Sequence, residues 1–408
     1  MIDITFFFIG ISITILIIGK WLLNDGYHPL ALSSSFWFFL ASIASYEPWY
    51  NSDLQTPWSL DMKMIVFLGG ISIFLPAMLF KSSRGYNLDK IYINNKYKIF
   101  LDFLAILTVI VFLIRFKSDV LHPTILRSGV GDLKELVPPG ITGLHYIDLM
   151  TPIIGIYYIF ELLYSKNISR LRRISIVIYS VFVVVNIIAY KVSRDELTQY
   201  LVCTFFLIYV SRPQYRFRFW IFFIVFLAIF SMMTVARLSE NSSVFSQFSG
   251  DFGPIFSMFY TYSAINFENL NKLTNTDFSD TYIWGSLRFI LRLFYSDEYE
   301  NNQFNILDIE SSFFNAKTYL YMFYHDLRIY GVILYSFIIG VFVQLIYILA
   351  KKNIRYLPLL SILMKPLLFL FFGNFFFVEL TYFFVYPFGL FLCLLLFSRV
   401  RFWDSKYE

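Results

Sequence analysis

Apolar runs of about twenty residues recur along most of the chain, and that period limits what it can fold into. A helix of this length crosses the hydrocarbon core of a bilayer. Within that core every backbone N–H and C=O must be satisfied inside the protein, which leaves helices or a closed barrel. The runs are continuous, not alternating ten-residue segments, so the barrel is excluded. Charged residues make up 15% of the chain against roughly a quarter in soluble domains, too few for a water-facing surface. Candidate spans fall near 4–20, 29–46, 64–80, 99–116, 143–164, 173–190, 196–211, 219–236, 322–349, 355–373 and 375–398. The fold expected is therefore an all-α polytopic membrane protein, one integral membrane domain over 1–408 with about eleven transmembrane helices. The first run, Ile4 to Ile18, has no small-residue cleavage site after it and reads as a retained helix.

Orientation follows from the basic loops. Lys81, Arg84, Lys90, Lys96 and Lys98 share one loop, and Lys166, Arg170, Arg172 and Arg173 another. Arg212, Arg216 and Arg218, then Lys351, Lys352 and Arg355, then Arg399, Arg401 and Lys406 follow. With alternating spans all five segments land on one side, the cytoplasmic one, placing the N-terminus outside and the C-terminus inside. These loops account for the net charge of +5 without a nucleic-acid partner. Cys203 and Cys393 lie in apolar runs and supply neither a disulfide framework nor metal-ligand spacing. The opposite side carries the long connections, 117–142 and 237–320. The second has apolar residues at helical spacing over Pro254 to Leu273 and Tyr282 to Phe294, which predicts short helices on the membrane surface or over a cavity.

Ionisable residues near spans are the informative ones, since each costs about 2.5–3.5 kcal/mol at mid-helix unless paired or wet. Lys191, Arg194, Asp195 and Glu196 form a tight turn at the outer ends of the sixth and seventh spans, either a hydrated turn or the rim of a cavity. Arg237 closes the eighth span on the same side. Paired with Arg194 it could clamp a diphosphate through its guanidinium fork, or it anchors a helix end at the headgroups. His325 and Asp326, in Tyr324-His-Asp-Leu-Arg-Ile-Tyr-Gly331, stand where the chain re-enters the membrane. An imidazole there can accept a proton from an attacking hydroxyl; a plain helix start is the alternative. Lys365 and Glu379, at comparable depth on the last two spans, predict an ion pair that locks two helices. The chain has no P-loop pattern and no spaced histidine pair for a metal, and no cofactor is expected.

These features resemble the O-antigen polymerases, the Wzy-type polymerases of oligosaccharide repeat units in bacterial inner membranes. The shared plan is about eleven spans, short basic cytoplasmic loops and two enlarged periplasmic loops. Ser193-Arg194 opening a span, then a basic turn and a span ending in Arg237, is similar to the paired-arginine region of that family. Asp326, Gly331 and Gly340 fill places comparable to its post-loop helix, with Leu327-Arg328 where Phe-Gly is typical. The resemblance implies a GT-C-like membrane fold of the polymerase and ligase type. It also implies a glycosyltransferase that moves a growing glycan from undecaprenyl diphosphate to a new undecaprenyl-diphosphate-linked unit at the periplasmic face. In those terms Arg194 and Arg237 stabilise the departing diphosphate, with Lys191, Arg127 and Arg288 as further ligands. His325 is the general base, with Asp326 or Glu196 behind it, and Tyr260, Tyr262, Glu268, Tyr282 and Trp284 contact sugars. Membrane lipids and a chain-length regulator are the implied partners. An O-antigen ligase has a similar architecture. A flippase for the lipid-linked unit is the alternative from another class, but it should carry charges through the depth of its spans.

Overall fold

The structure, a computed structural model, describes residues 4–46, 55–81, 85–86, 90–117, 120–127, 137–140, 143–211, 253–287, 317–376 and 385–399. Among these residues the chain is mostly helical. The helices are α1 (Ile4–Trp21), α2 (Pro29–Ala44), α3 (Leu60–Leu79), α4 (Asn95–Arg115), α5 (His145–Tyr164) and α6 (Arg170–Val185). They continue with α7 (Arg194–Ser211), α8 (Gly253–Thr274), α9 (Leu320–Lys352), α10 (Leu357–Leu368) and α11 (Tyr386–Phe397). Several start as their sequences dictate, with a side chain accepting an orphan N–H of the first turn. Ser59 accepts from Met62 N at 3.2 Å, Asn94 from Lys96 N at 3.0 Å and Ser169 from Arg172 N at 3.2 Å.

The exposed faces are apolar. On α6 the outward residues are Leu171, Ile174, Val177, Ile178, Val181 and Val185; on α4 they include Ile99, Phe103, Ile106, Ile110 and Leu113. Both sets repeat at three and four residues, the helical period, but face outward where a soluble helix would show charge. A bilayer is the solvent that such faces fit. Among the described residues six helices are long and apolar enough to cross one: α1, α3, α4, α5, α6 with its extension to Lys191, and α9.

The remaining expected spans differ in ways that their residues explain. Helices α2 and α11 are apolar but shorter, at 16 and 12 residues. Helix α7 opens on three charged residues, Arg194, Asp195 and Glu196. The span expected over 355–373 holds the 12-residue α10, which ends two residues after Pro366. The span expected over 219–236 lies outside the described residues. In the connection 237–320, α8 is a single helix of 22 residues, and its stretch Ala264–Asn271 is wholly buried. Of the helix expected from Tyr282 to Phe294, residues 282–287 form turns and the rest lies outside the described residues.

The chain divides into two compact units. The first comprises Met1–Arg84, Ser243–Ile348 and Pro366–Leu380. In it α1 lies against α2 through small residues, with Ser12 Oγ donating to Ser35 O at 2.8 Å, while α8 packs on α2 and α3. Trp37 at the centre donates to Val66 O at 3.0 Å and meets the rings of Phe267 and Tyr319. The second comprises Gly85–Ser242, Leu349–Lys365 and Thr381–Glu408. Here α5 packs on α4, α6 and α7, and a short antiparallel pair joins β1 (Tyr92–Ile93) to β2 (Ser398–Arg399). One end of this bundle is tied by Arg172, which bonds Asp102 and reaches Glu161 at 3.0 and 2.8 Å over the Tyr158 ring.

Candidate functional site

At the other end of the second unit the helices α4 to α7 bring their terminal charges together. Arg115 is the last residue of α4, Asp148 sits in the first turn of α5, and Glu196 in the first turn of α7. Lys191 arrives by a local distortion: α6 widens into a π turn over Asn186–Lys191, and Val192 then takes the left-handed conformation at φ 47°. A β-branched residue is costly there, and π turns recur at functional sites. The distortion sets the Lys191 ammonium between Asp148 Oδ1 at 2.9 Å and Glu196 Oε2 at 2.8 Å. Arg115 Nη1 holds Asp148 Oδ2 at 2.6 Å, and its Nε and Nη2 donate to Pro138 O. Nearby in the chain, Asp195 accepts from Lys365 Nζ at 2.5 Å, the lysine side chain being wholly buried. Arg194, half-buried, opens α7 between these two ion-paired groups.

In the first unit a second polar cluster forms where α9 breaks. Leu327 and Arg328 leave the helical region, Arg328 at φ 52° and ψ −136°. The break deprives the carbonyls of the preceding turn of their usual donors, and such groups do not stay unpaired when buried. His325 O accepts from Thr281 N at 3.3 Å and Asp326 O from Tyr282 N at 2.9 Å, so the segment 277–287 repairs the break like a strap. The Asp326 carboxylate accepts from Thr281 Oγ1 at 2.7 Å, Gly285 N at 2.7 Å and Ser286 N at 2.9 Å. A Cβ on Gly285 would meet Asp326 Oδ1 at 2.5 Å, so only glycine lets the carboxylate close on this turn. His325 is fully enclosed, with its ring stacked on Phe278 at 4.7 Å and Nδ1 3.0 Å from Thr281 Oγ1. Arg328 latches the strap: its guanidinium lies 3.5 Å from the Phe278 ring centroid and bonds Asp280 Oδ1 at 2.8 Å. Past the break, Gly331 fits where a Cβ would meet Phe323 O at 2.1 Å.

The residues expected to hold sugars separate into two groups. Tyr260 and Glu268 point inward from α8, where Tyr260 donates to Gln55 Oε1 at 2.5 Å and Glu268 accepts from Thr56 Oγ1 at 2.8 Å. Burial pushes the Glu268 carboxyl above its ordinary range, opposed by its bonds from Thr56 and Asn271. Tyr282 is exposed at a left-handed φ of 58°, and Trp284 is half-buried beside it on the strap. Tyr262 lies on α8 and Arg127 on a 3-10 turn, but their side chains, like all of Arg237, Arg288 and Glu379, lie outside the described residues. Lys365 thus has a carboxylate partner, Asp195, that the depth comparison with Glu379 did not suggest.

The structure adds Arg115 and Asp148 to the charged end and Thr281, Phe278 and Asp280 to the strap. Arg115 and Asp148 had a signal in the sequence, each being a charge at the end of an apolar run. Thr281 had none, because its importance comes from a contact across 44 residues. The chain matches no protein-family model, no curated protein and no solved structure.

Proposed function

We propose that this protein polymerises lipid-linked oligosaccharide repeat units at the outer face of a bacterial inner membrane, as an O-antigen polymerase with about eleven spans in a GT-C-like plan. The reaction forms a bond from an acceptor sugar hydroxyl to the anomeric carbon at the reducing end of the growing glycan. The bond from that carbon to the diphosphate oxygen breaks, and undecaprenyl diphosphate leaves with the electron pair. The proton of the acceptor passes to the base, for which His325 is the candidate. Arg194 and Arg237 stabilise the charge that develops on the departing diphosphate, an electrostatic contribution that often dominates catalysis.

The observation that supports this best is the charged helix end of the second unit. Arg115, Lys191, Arg194 and Lys365 stand there together with Asp148, Asp195 and Glu196. Charges gathered where helices end fit chemistry on a lipid diphosphate at the membrane boundary better than passage through the membrane. Lys191, enclosed by two carboxylates, serves in this arrangement to hold the helix ends, and the guanidinium of Arg194 is the diphosphate ligand.

The test is the lipopolysaccharide ladder of a deletion strain complemented with wild type or Arg194→Ala. Removing one such donor costs about 100-fold or more in rate. The variant should therefore lose the ladder, keep a core-plus-one-unit band and reach the membrane at wild-type amounts. An unchanged ladder contradicts the proposal. Loss of every O-antigen band in the deletion, with lipid-linked polymer accumulating, would indicate a ligase. Repeat units that never reach the periplasm would indicate a flippase.

A further inference from the structure

We infer that a groove on the bilayer-facing side of α5, α6 and α7 holds the hydrocarbon tail of an isoprenoid diphosphate, the lipid that carries the glycan. This rests on the proposed polymerisation and says where the carrier's tail lies.

The groove has a volume of about 320 Å³ and lies wholly within the second unit. Val177, Val181 and Val184 line it from α6, Ile159 and Leu162 from α5, and the buried Tyr200 from α7. The α6 residues recur at intervals of four and three, so they share one face of that helix. Up to Val185, which also lines the groove, they cover about 12 Å of helix length.

The residue types keep this space open. A valine side chain in a helix is short and stiff, with one preferred rotamer, so it cannot swing across to fill the gap. Ser180, also in the lining, donates its proton to Ile176 O at 2.8 Å on its own helix. A Cβ on Gly155 would meet Tyr200 Cε2 at 2.7 Å, so the glycine lets that ring lie back against α5 instead of standing in the groove.

The ligand must suit the lining and what lies beyond it. An apolar lining takes hydrocarbon. Two of the helices that supply it lead directly to the charged helix ends: α6 runs on from Val185 through the π turn to Lys191. On α7, Arg194 precedes Tyr200 by six residues, about 9 Å along the axis. A lipid with its head at those ends lays its tail along the groove. An isoprenoid diphosphate combines one hydrocarbon chain with an anionic head of the kind that guanidinium groups bind. A phospholipid has two chains, and one groove seats only one of them. Surrounding lipid is as apolar as the groove, so packing and not the hydrophobic effect selects the chain.

The experiment uses the full chain in phosphatidylglycerol nanodiscs that contain undecaprenyl diphosphate, and measures by mass spectrometry how much of it each folded protein retains. Wild type should hold it in excess over its share of the bilayer. Val177→Trp and Val181→Trp fill the groove from side chains already 52% and 57% exposed, which leaves the packed interior intact. Each should retain about fivefold less, the effect of losing roughly ten close carbon contacts. Ile178→Trp, exposed on the same helix but outside the groove, should retain the wild-type amount. Undiminished retention in both groove variants, or an equal loss in Ile178→Trp, overturns the inference, while an excess in wild type leaves the polymerase reading standing. No excess in wild type removes the substrate of that reading, and the groove's ligand with it.

Discussion

Glu268 shows how much one buried residue can reveal about its surroundings. Its carboxylate is fully enclosed and accepts from Thr56 Oγ1 at 2.8 Å and Thr56 N at 3.2 Å, tying α8 to the chain just before α3. Burial raises its pKa in the folded protein from the ordinary 4.5. Between those two values the folded state holds more protons than the unfolded state, so stability is greatest below the ordinary value and falls as pH rises through the raised one. Glu268→Gln keeps an acceptor for Thr56 and removes the charge. Its unfolding temperature in detergent should gain on wild type as pH is raised from 4.5 to 8, and a difference that stays constant with pH would show that burial does not govern this group. The type and place of this residue were legible in the sequence, but not its partner. Aromatic and acidic residues in an outer segment suggested sugar contact; in the structure Tyr260 bonds Gln55 and Glu268 bonds Thr56. Among the candidates whose side chains are described, Tyr282 and Trp284 keep the exposure that stacking on a sugar demands.

Among the elements, α9 carries the most mechanism, because its break creates the strap site. Arg328 stands at φ 52° and ψ −136°, backbone that glycine adopts freely and other residues at a cost of about 1–3 kcal/mol. Its contacts with Phe278 and Asp280 offset that cost. Glycine is the residue that this backbone suits best. Arg328→Gly and Arg328→Ala both lose the guanidinium, but only the first relieves the backbone. The glycine variant should therefore be the more stable by about 1 kcal/mol in denaturant titrations. Equal stabilities would mean that the break is not strained. Helix positions were readable to within a few residues wherever an apolar run was long, as in α1, α3, α4, α5 and α6. At α8 the bounds were read to within a residue but the burial was not, because Asn266, Glu268, Asn269 and Asn271 are polar yet buried; α10 stops short of the expected span, two residues past Pro366.

On the scale of the whole molecule, a membrane protein follows from the inverted pattern of apolar faces outside and charge networks within. The second unit has one such network at each end of its helices, Arg172 with Asp102 and Glu161 at one and Lys191 with Asp148 and Glu196 at the other. The orientation proposed from the basic loops would put the first on the cytoplasmic side and the second on the outer side. In a variant lacking Cys203 and Cys393, a cysteine replacing the exposed Leu121 should react with an impermeant reagent in cells with only the outer membrane opened, and one replacing Lys166 only after lysis. The reverse would invert the topology and put the charged end of Arg194 on the wrong side for a periplasmic polymerase. The central claim is tested most directly by reconstitution of the purified protein in vesicles with a single lipid-diphosphate-linked repeat unit, following polymer length and free lipid diphosphate together. The proposed reaction predicts chains of increasing length, with one lipid diphosphate released for every unit joined. Vesicles in which the protein is folded and the repeat unit present, yet neither polymer nor lipid diphosphate forms, would contradict it.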